Sequence, residues 1–192
     1  MALASNIAFP VAAKLSSPQL VHKSDIGAVR LNLADELAVH RAFDELIAIS
    51  RERGFAESLD GVLIQPMIQN GVETLIGVVN DRRFGPLVAF GLGGVHAEIL
   101  GDVHLKIAPL TDRDADDLLH QIRGDRLLEG YRGHAPGDTD ALKDLLLRIS
   151  RLAEELPEVA ELDLNPVIAL PPGTGCGIVD ARIKVGRAGT AL

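Results

Sequence analysis

The residues most able to do chemistry lie near the C-terminus, where Ala160–Leu170 reads AELDLNPVIAL. Side chains alternate across an extended chain, so Glu161, Asp163 and Asn165 share one face while Leu162 and Leu164 share the other. The turn string PPGTG follows, then GIVDARIK over Gly177–Lys184. If the turn folds the chain back as a hairpin, Asp180 and Arg182 come opposite Asp163–Val167, and they too share a face. The product is a cluster of oxygen donors beside one guanidinium. Buried charges must be paired, which leaves two outcomes open. Either the acids form a solvent-facing strand edge or an Asp163–Arg182 salt bridge without a metal, or they hold a cation. Magnesium suits carboxylate and amide oxygens, held at about 2.0–2.1 Å, and keeps waters or phosphates in its other positions. Pro166 cannot donate to a ladder, so it marks a strand edge or a bulge, and bulges re-aim side chains at active sites.

A second group of candidates lies near the N-terminus. Lys14 interrupts the apolar run PVAAKL, where it either snorkels to the surface or delivers an ammonium to a cleft. The polar loop Ser16–Asp25 carries His22, Lys23 and Ser24 in a row. An imidazole near neutral pH is partly unprotonated and nucleophilic, so His22 could accept a phosphoryl group through nitrogen. A lysine stays charged and stabilises phosphate oxygens instead. Gly91-Leu92-Gly93-Gly94 lacks the spacing of the dinucleotide fingerprint and signals a tight turn. Arg132, between Gly130 and Gly133, sits in a loop as a surface residue or an anion ligand.

The elements that must position these groups follow from periodicity. Pro10–Leu15 and Ile26–Leu33 read as strands, and Ala34–Arg53 as an amphipathic helix stopped by Gly54. Gly61–Met67 and Val72–Asn80 read as strands joined in a hairpin by IQNG, with Asn70 and Gly71 accepting positive φ. Pro86–Phe90 and His104–Ile107 add short strands. Thr111 and Asp114 have capping-box spacing before a helix ending near Gly124. Leu142 to Leu156 give the cleanest helical period, between Asp138 and Pro157. Strands over Ala160–Leu170 and Gly177–Lys184 close the chain. This order predicts an α+β, mixed α/β, architecture.

Composition narrows the function classes. The 192 residues are 47% hydrophobic, enough to bury a sizeable core. Acidic residues outnumber basic ones by 27 to 19, and a net charge of -8 repels a nucleic-acid backbone. Aromatics make up 3% with no Trp, so stacking platforms for single strands are scarce. The single cysteine, Cys176, cannot form an internal disulfide. No run approaches the roughly 18 apolar residues of a membrane span, and the N-terminus lacks a basic n-region. A cytoplasmic protein that binds neither membrane nor nucleic acid is expected.

Taken in order, the strings FPVAAKLSSPQLVHKSDIGAVRL, GVLIQPMIQNGVETLIGVVNDRRFGPLVAFGLGG, LLEGYRG, ELDLNPVIAL and VDARI span most of Phe9–Lys184. They resemble the ATP-grasp domain of the nucleoside-diphosphate-forming acyl-CoA synthetases, the family of ADP-forming acetate:CoA ligase and, more distantly, the succinyl-CoA synthetase β subunit. The resemblance implies an ATP-grasp fold, two α+β lobes clamping a nucleotide, with approximately 1–67 forming the first lobe and hinge and 68–192 the second. It places Lys14 on the ATP phosphates and Ser16–Asp25, with Lys23 and Ser24, in the loop covering them. Gln65, Pro66, Met67 and Ile68 become the hinge that meets adenine, normally through one carbonyl and one amide NH, and Glu73 a ribose or polar contact. Asp163, Asn165 and Asp180 become magnesium ligands, with Arg182 beside them in a catalytic role. His22 becomes a phosphoryl carrier between ATP and a histidine on another domain.

The implied cofactors are ATP or ADP and Mg2+, with CoA on a partner domain. The implied partners are the CoA-binding and ligase domains or subunit of the same synthetase. Three departures from the family pattern stand out. Pro66 replaces a common Glu and loses its NH, Ala28 replaces a usual Gly, and Lys106 stands where Arg is frequent. The usual helix and strand before Phe9 are missing, so the chain reads as a truncated or separately encoded lobe pair. A nucleotide-responsive regulatory domain of a protein acetyltransferase fusion is the alternative, and an interaction domain that has lost nucleotide binding is a third reading.

Overall fold

A computed structural model describes residues 7–17, 26–93, 101–133 and 135–186. The chain divides into two compact units, Met1–Met67 and Ile68–Leu192.

In the first unit, β1 (Val11–Ser16), β2 (Val29–Leu33) and β3 (Gly61–Pro66) form an antiparallel sheet in the order β2-β1-β3. Helix α1 (Glu36–Glu52) begins at Asp35, whose carboxylate accepts the Ala38 NH. It lays Ala42 and Leu46 against Val11, Ala13 and Leu15 of β1. These alternate residues of β1 form the small core, so Lys14 lies on the sheet face away from α1. Gly27 carries the left-handed φ of 68° before β2, and Ala28 is buried and conformationally ordinary. Alanine in place of the usual glycine therefore costs nothing here.

The second unit is built on β4 (Val72–Asp81), β5 (Gly85–Leu92), β6 (Val103–Ile107), β7 (Val159–Ala169), β8 (Cys176–Ile178) and β9 (Ala181–Val185). The sheet order is β6-β5-β4-β7-β8, with β9 also pairing β7, and every pair is antiparallel. Helices α2 (Asp112–Gln121), α3 (Asp125–Glu129) and α4 (Thr139–Glu155) complete the unit. Ile76, Val78, Val88 and Phe90 of the sheet pack with Leu118, Leu119, Leu142 and Leu146 of α2 and α4. Each such side chain contributes roughly 1.5–3 kcal/mol on burial. The helices thus cover one face of the sheet and leave the alternate residues of its strands on the other.

The capping box expected at Thr111 is present. The Thr111 hydroxyl accepts the Asp114 NH, and the Asp114 carboxylate accepts the Thr111 NH and hydroxyl. Those two bonds from Thr111, followed by the Lys106 ammonium, lower the Asp114 carboxyl to about 2. Lys106 itself joins β6 to α2 through Asp114 at 3.2 Å and Asp117 at 2.8 Å, contacts that a lysine point charge makes without the arginine fork.

Five readings of the sequence are corrected. The strands flanking IQNG do not form a hairpin, because β3 pairs with β1 in one unit and β4 with β5 and β7 in the other. Asn70 has the positive φ of 60°, but Gly71 does not; a Cβ there would meet the Ala169 carbonyl oxygen at 2.6 Å, so glycine is needed for close approach. Gly177–Lys184 is two strands, interrupted at Val179–Asp180. Asp125–Glu129 forms a helix that the apolar periodicity did not signal, and Gly91 continues β5 rather than turning.

Candidate functional site: the open face of the larger sheet

Strand β7 alternates as its sequence requires. Leu162, Leu164 and Val167 are buried against the helices, whereas Asp163 and Asn165 are exposed on the open face. The register then assembles the candidate cluster. Asp163 stands opposite Arg182 on β9 and opposite Gly77 on β4, while Glu161 stands opposite Lys184. Asn165 donates its NH to the Asp180 carbonyl at 3.2 Å, and Val179 donates to the Pro166 carbonyl at 3.0 Å. The hairpin through PPGTG therefore brings Asp163, Asn165, Asp180 and Arg182 together along β7 and its partner strands.

Pro166 lies where the pairing of β7 with β4 is irregular. The β4–β7 register runs from Thr74↔Val167 to Ile76↔Leu164, so β7 carries one extra residue at Asn165–Pro166. This is the bulge, and not the strand edge, because β7 is flanked by β4 on one side and by β8 and β9 on the other. Thr74, fully buried, donates its hydroxyl to the Val167 carbonyl at 2.9 Å beside the bulge. The bulged strand bends and twists locally, which sets the direction of Asn165 relative to Asp163.

The rows continue across the open face. Gly77 stands opposite Ala89, and Ala89 opposite Leu105, so small residues occupy its centre. Glu73 is exposed on this same face, opposite Ile168, and its carbonyl accepts the Gly93 NH at 2.8 Å. The donors available for a metal are two carboxylates and one amide. Among the described residues, no group of three His, Cys, Asp or Glu side chains is placed to hold a metal alone. The donor set fits a magnesium ion completed by nucleotide oxygens and water, and it does not fit an all-protein metal cage.

In the first unit, Lys14 is only 6% exposed, which excludes the snorkelling surface lysine. Its cross-strand neighbours are Val29 and Leu63. Gln65, opposite Ala12, shares that face two residues along. Met67 donates its NH to the Pro10 carbonyl at 3.0 Å, and its sulfur accepts the Asn32 NH. Of its two backbone groups, Met67 therefore has its carbonyl left for a ligand. Pro66 is exposed at the end of β3, and Ile68 opens the second unit, where it packs against Gly177. His22, Lys23 and Ser24 lie outside the described residues.

The sequence reading missed two buried carboxylates. Asp138 was read only as a helix start, yet its side chain also accepts the Gly175 NH at 2.8 Å. The signal was available in the glycines of the PPGTG turn, which expose backbone NH groups. Asp102, 5% exposed, accepts the Gly124 NH at 3.2 Å and approaches His104 at 3.5 Å. Nothing in its local sequence marked it for burial.

The larger of the two α+β units presents carboxylates and an amide on the uncovered face of its antiparallel sheet, and the smaller carries a buried lysine on its central strand. The family model for the ATP-grasp domain matches residues 1–185, and the chain belongs to that family. Among its relatives, acetate--CoA ligase [ADP-forming] I of Archaeoglobus fulgidus is 42% identical over 96% of this chain and 27% of its own length. The acetate--CoA ligase [ADP-forming] II subunit beta of Pyrococcus furiosus is 41% identical over 94% of this chain and 77% of its own. The chain thus spans about a quarter of the first relative and about three quarters of the second.

Solved structures of a dinucleotide-forming acetyl-coenzyme A synthetase 1 from Ca. Korarchaeum cryptofilum are also similar. The complex with coenzyme A and Ca-AMPCP has a TM-score of 0.88 and 44% identity, covering 96% of this chain and 80% of that one. The complex with coenzyme A and Mg-AMPPCP, its phosphohistidine segment pointing towards the nucleotide binding site, has a TM-score of 0.79, 43% identity and the same coverage.

Proposed function

We propose that this chain is the nucleotide-binding domain of an ADP-forming acyl-CoA synthetase of the acetate:CoA ligase type, an acid-thiol ligase. It binds MgATP and passes a phosphoryl group between the nucleotide and His22, while CoA and the acyl group are handled by partner domains or a partner subunit. The observation that carries this reading is the open face of β7, where Asp163 and Asn165 project beside Asp180 and Arg182. The ligase names of the similar proteins, and the Mg-AMPPCP of the korarchaeal complex, support it.

Within this reading each side chain has a distinct task. Asp163, Asn165 and Asp180 supply oxygen ligands, and Arg182 offsets their negative charge. Lys14 neutralises phosphate oxygens with an ammonium carried on a rigid strand. Gln65, Pro66, Met67 and Ile68 meet the base, with Pro66 and Met67 contributing carbonyls, and Glu73 meets the ribose or another polar group. Lys23 and Ser24 contact the phosphates beside His22. Bound magnesium would spread the charge of the transferring phosphate, since positioning and charge stabilisation dominate phosphoryl transfer. His22 nitrogen forms the new N–P bond as the bond from the γ-phosphorus to the bridging oxygen breaks, and ADP leaves with that electron pair. Among the described residues no helix is long and apolar enough to cross a membrane. The proposed location is the cytoplasm.

The chain should be incubated with γ-labelled ATP, magnesium and a complete partner subunit. The expected result is acid-labile, base-stable label on the chain, abolished by His22→Asn and by chelation of magnesium. Nucleotide binding without label in the active mixture would contradict transfer and fit the regulatory alternative.

A further inference from the structure

Strand β9, which carries Arg182, and the link from β8 that carries Asp180 have little of their own to fix their register. All residues of β9 are exposed, and β8 is three residues long with Ile178 48% exposed. Register is normally enforced by burying one face, and a slip of one residue sends every side chain to the opposite face. For β9 that slip would turn Arg182 away from Asp163, and it would shift Asp180, in the link between β8 and β9, from its place beside Asn165. Cys176 at the turn end of β8 packs against the core and Gly177 lies against Ile68, which leaves β9 with no buried face to fix its register.

Asp138 is placed to do so. It is 7% exposed and caps α4, with Oδ1 accepting the Ala141 NH at 3.1 Å. Its Oδ2 accepts the Gly175 NH at 2.8 Å, and its own NH donates to the Leu170 carbonyl at 2.7 Å. Leu170 and Gly175 are the two ends of the turn, closed by the Leu170 NH to the Gly175 carbonyl at 3.0 Å. One residue therefore grips both ends of the 171–175 turn and anchors them to a helix whose Leu142, Leu146 and Ile149 are buried in the core. The backbone NH groups, Gly175 first and then Ala141, hold the Asp138 carboxyl below its ordinary range, as expected of a carboxylate bound in its charged form.

We propose that Asp138 is a positioning residue that pins the β7–β8 turn to the start of α4 and so sets the register at which Asp180 and Arg182 lie beside Asn165 and Asp163. Its consequence for metal binding rests on the proposed function, whereas its effect on register does not. Asp138→Ser keeps a good helix cap but cannot reach the turn. Hydrogen exchange of the whole chain is the readout, because the Asn165 and Val179 amides bond across the segment that Asp138 would hold. Losing a charge-assisted bond should speed exchange at those two amides by roughly tenfold or more, with α4 amides unchanged.

Two controls keep the test decisive. Asp138→Asn preserves the cap and volume while presenting an amide in place of Oδ2, and it substitutes if the serine variant unfolds. Ser150→Ala removes the buried hydroxyl that accepts the Leu110 NH at 2.7 Å, so it weakens the unit elsewhere and should not single out Asn165 and Val179. Unchanged protection at those amides in a folded Asp138 variant would overturn the pin. If the pin holds, magnesium-dependent nucleotide affinity should fall together with protection. Wild-type chain that binds no nucleotide in magnesium would instead defeat the proposed function and leave the exchange result standing.

Discussion

Replacing Asp163 with alanine is expected to abolish magnesium-dependent nucleotide binding while leaving the fold intact. The two halves of that expectation have separate causes. Asp163 is exposed on the open face, so its loss removes no core contact, and substitutions of that kind stay within about 0.5 kcal/mol of wild-type stability. The metal, by contrast, would be held by two carboxylates and one amide, and magnesium retains full waters unless charged oxygens compensate. Removing one of two carboxylates leaves Arg182 beside a cluster with too little negative charge to attract a dication. Asn165→Ala should act in the same direction, because no third carboxylate is available among the described residues to replace the amide. Calorimetric titration with an ATP analogue and magnesium checks both variants. Unchanged affinity in either would remove these residues from the metal site.

Lys14→Met is expected to weaken nucleotide binding roughly a hundredfold, the effect of losing a charge-assisted contact worth about 2–3 kcal/mol. Methionine retains the apolar stem that β1 buries, so the comparison isolates the ammonium. Lys14 is nearly fully buried in a strand whose other residues are Val, Ala, Leu and Ser, where a solvated cation would have no reason to be. Titration of the folded variant with the same nucleotide provides the check, with circular dichroism confirming β content. Affinity equal to wild type would assign Lys14 a purely structural role.

How much of this was legible in the sequence depended on the range of the interactions concerned. The strand at 159–169 and the helix at 139–155 followed from apolar periodicity, because one face of each is buried continuously. The pairing of Asp163 with Arg182 followed from a local turn and a period of two. IQNG failed because its turn signal is local, whereas the partners of β3 and β4 are chosen by distant residues, β1 for one and β5 and β7 for the other. Pro166 signalled an irregularity but not which kind. That depends on whether a strand lies on both sides of β7, which distant residues decide.

The PPGTG glycines signalled free backbone NH groups, but the partner that takes the Gly175 NH, Asp138, is separated from them by an intervening helix and strand and was not legible. His22 was legible only as a residue type in a polar loop. Its place in the account comes from family resemblance and from the chemistry of imidazole, and the labelling experiment bears on it directly.

The claim at the centre of the account is that the uncovered face of the larger sheet holds the divalent ion of a bound nucleotide. Crystals of the chain soaked with manganese and a non-hydrolysable ATP analogue would locate that ion by its anomalous scattering. One strong peak is expected within coordination distance of Asp163, Asn165 and Asp180, in contact with nucleotide phosphate oxygens. A nucleotide-bound manganese elsewhere, with these three side chains unengaged, would contradict it.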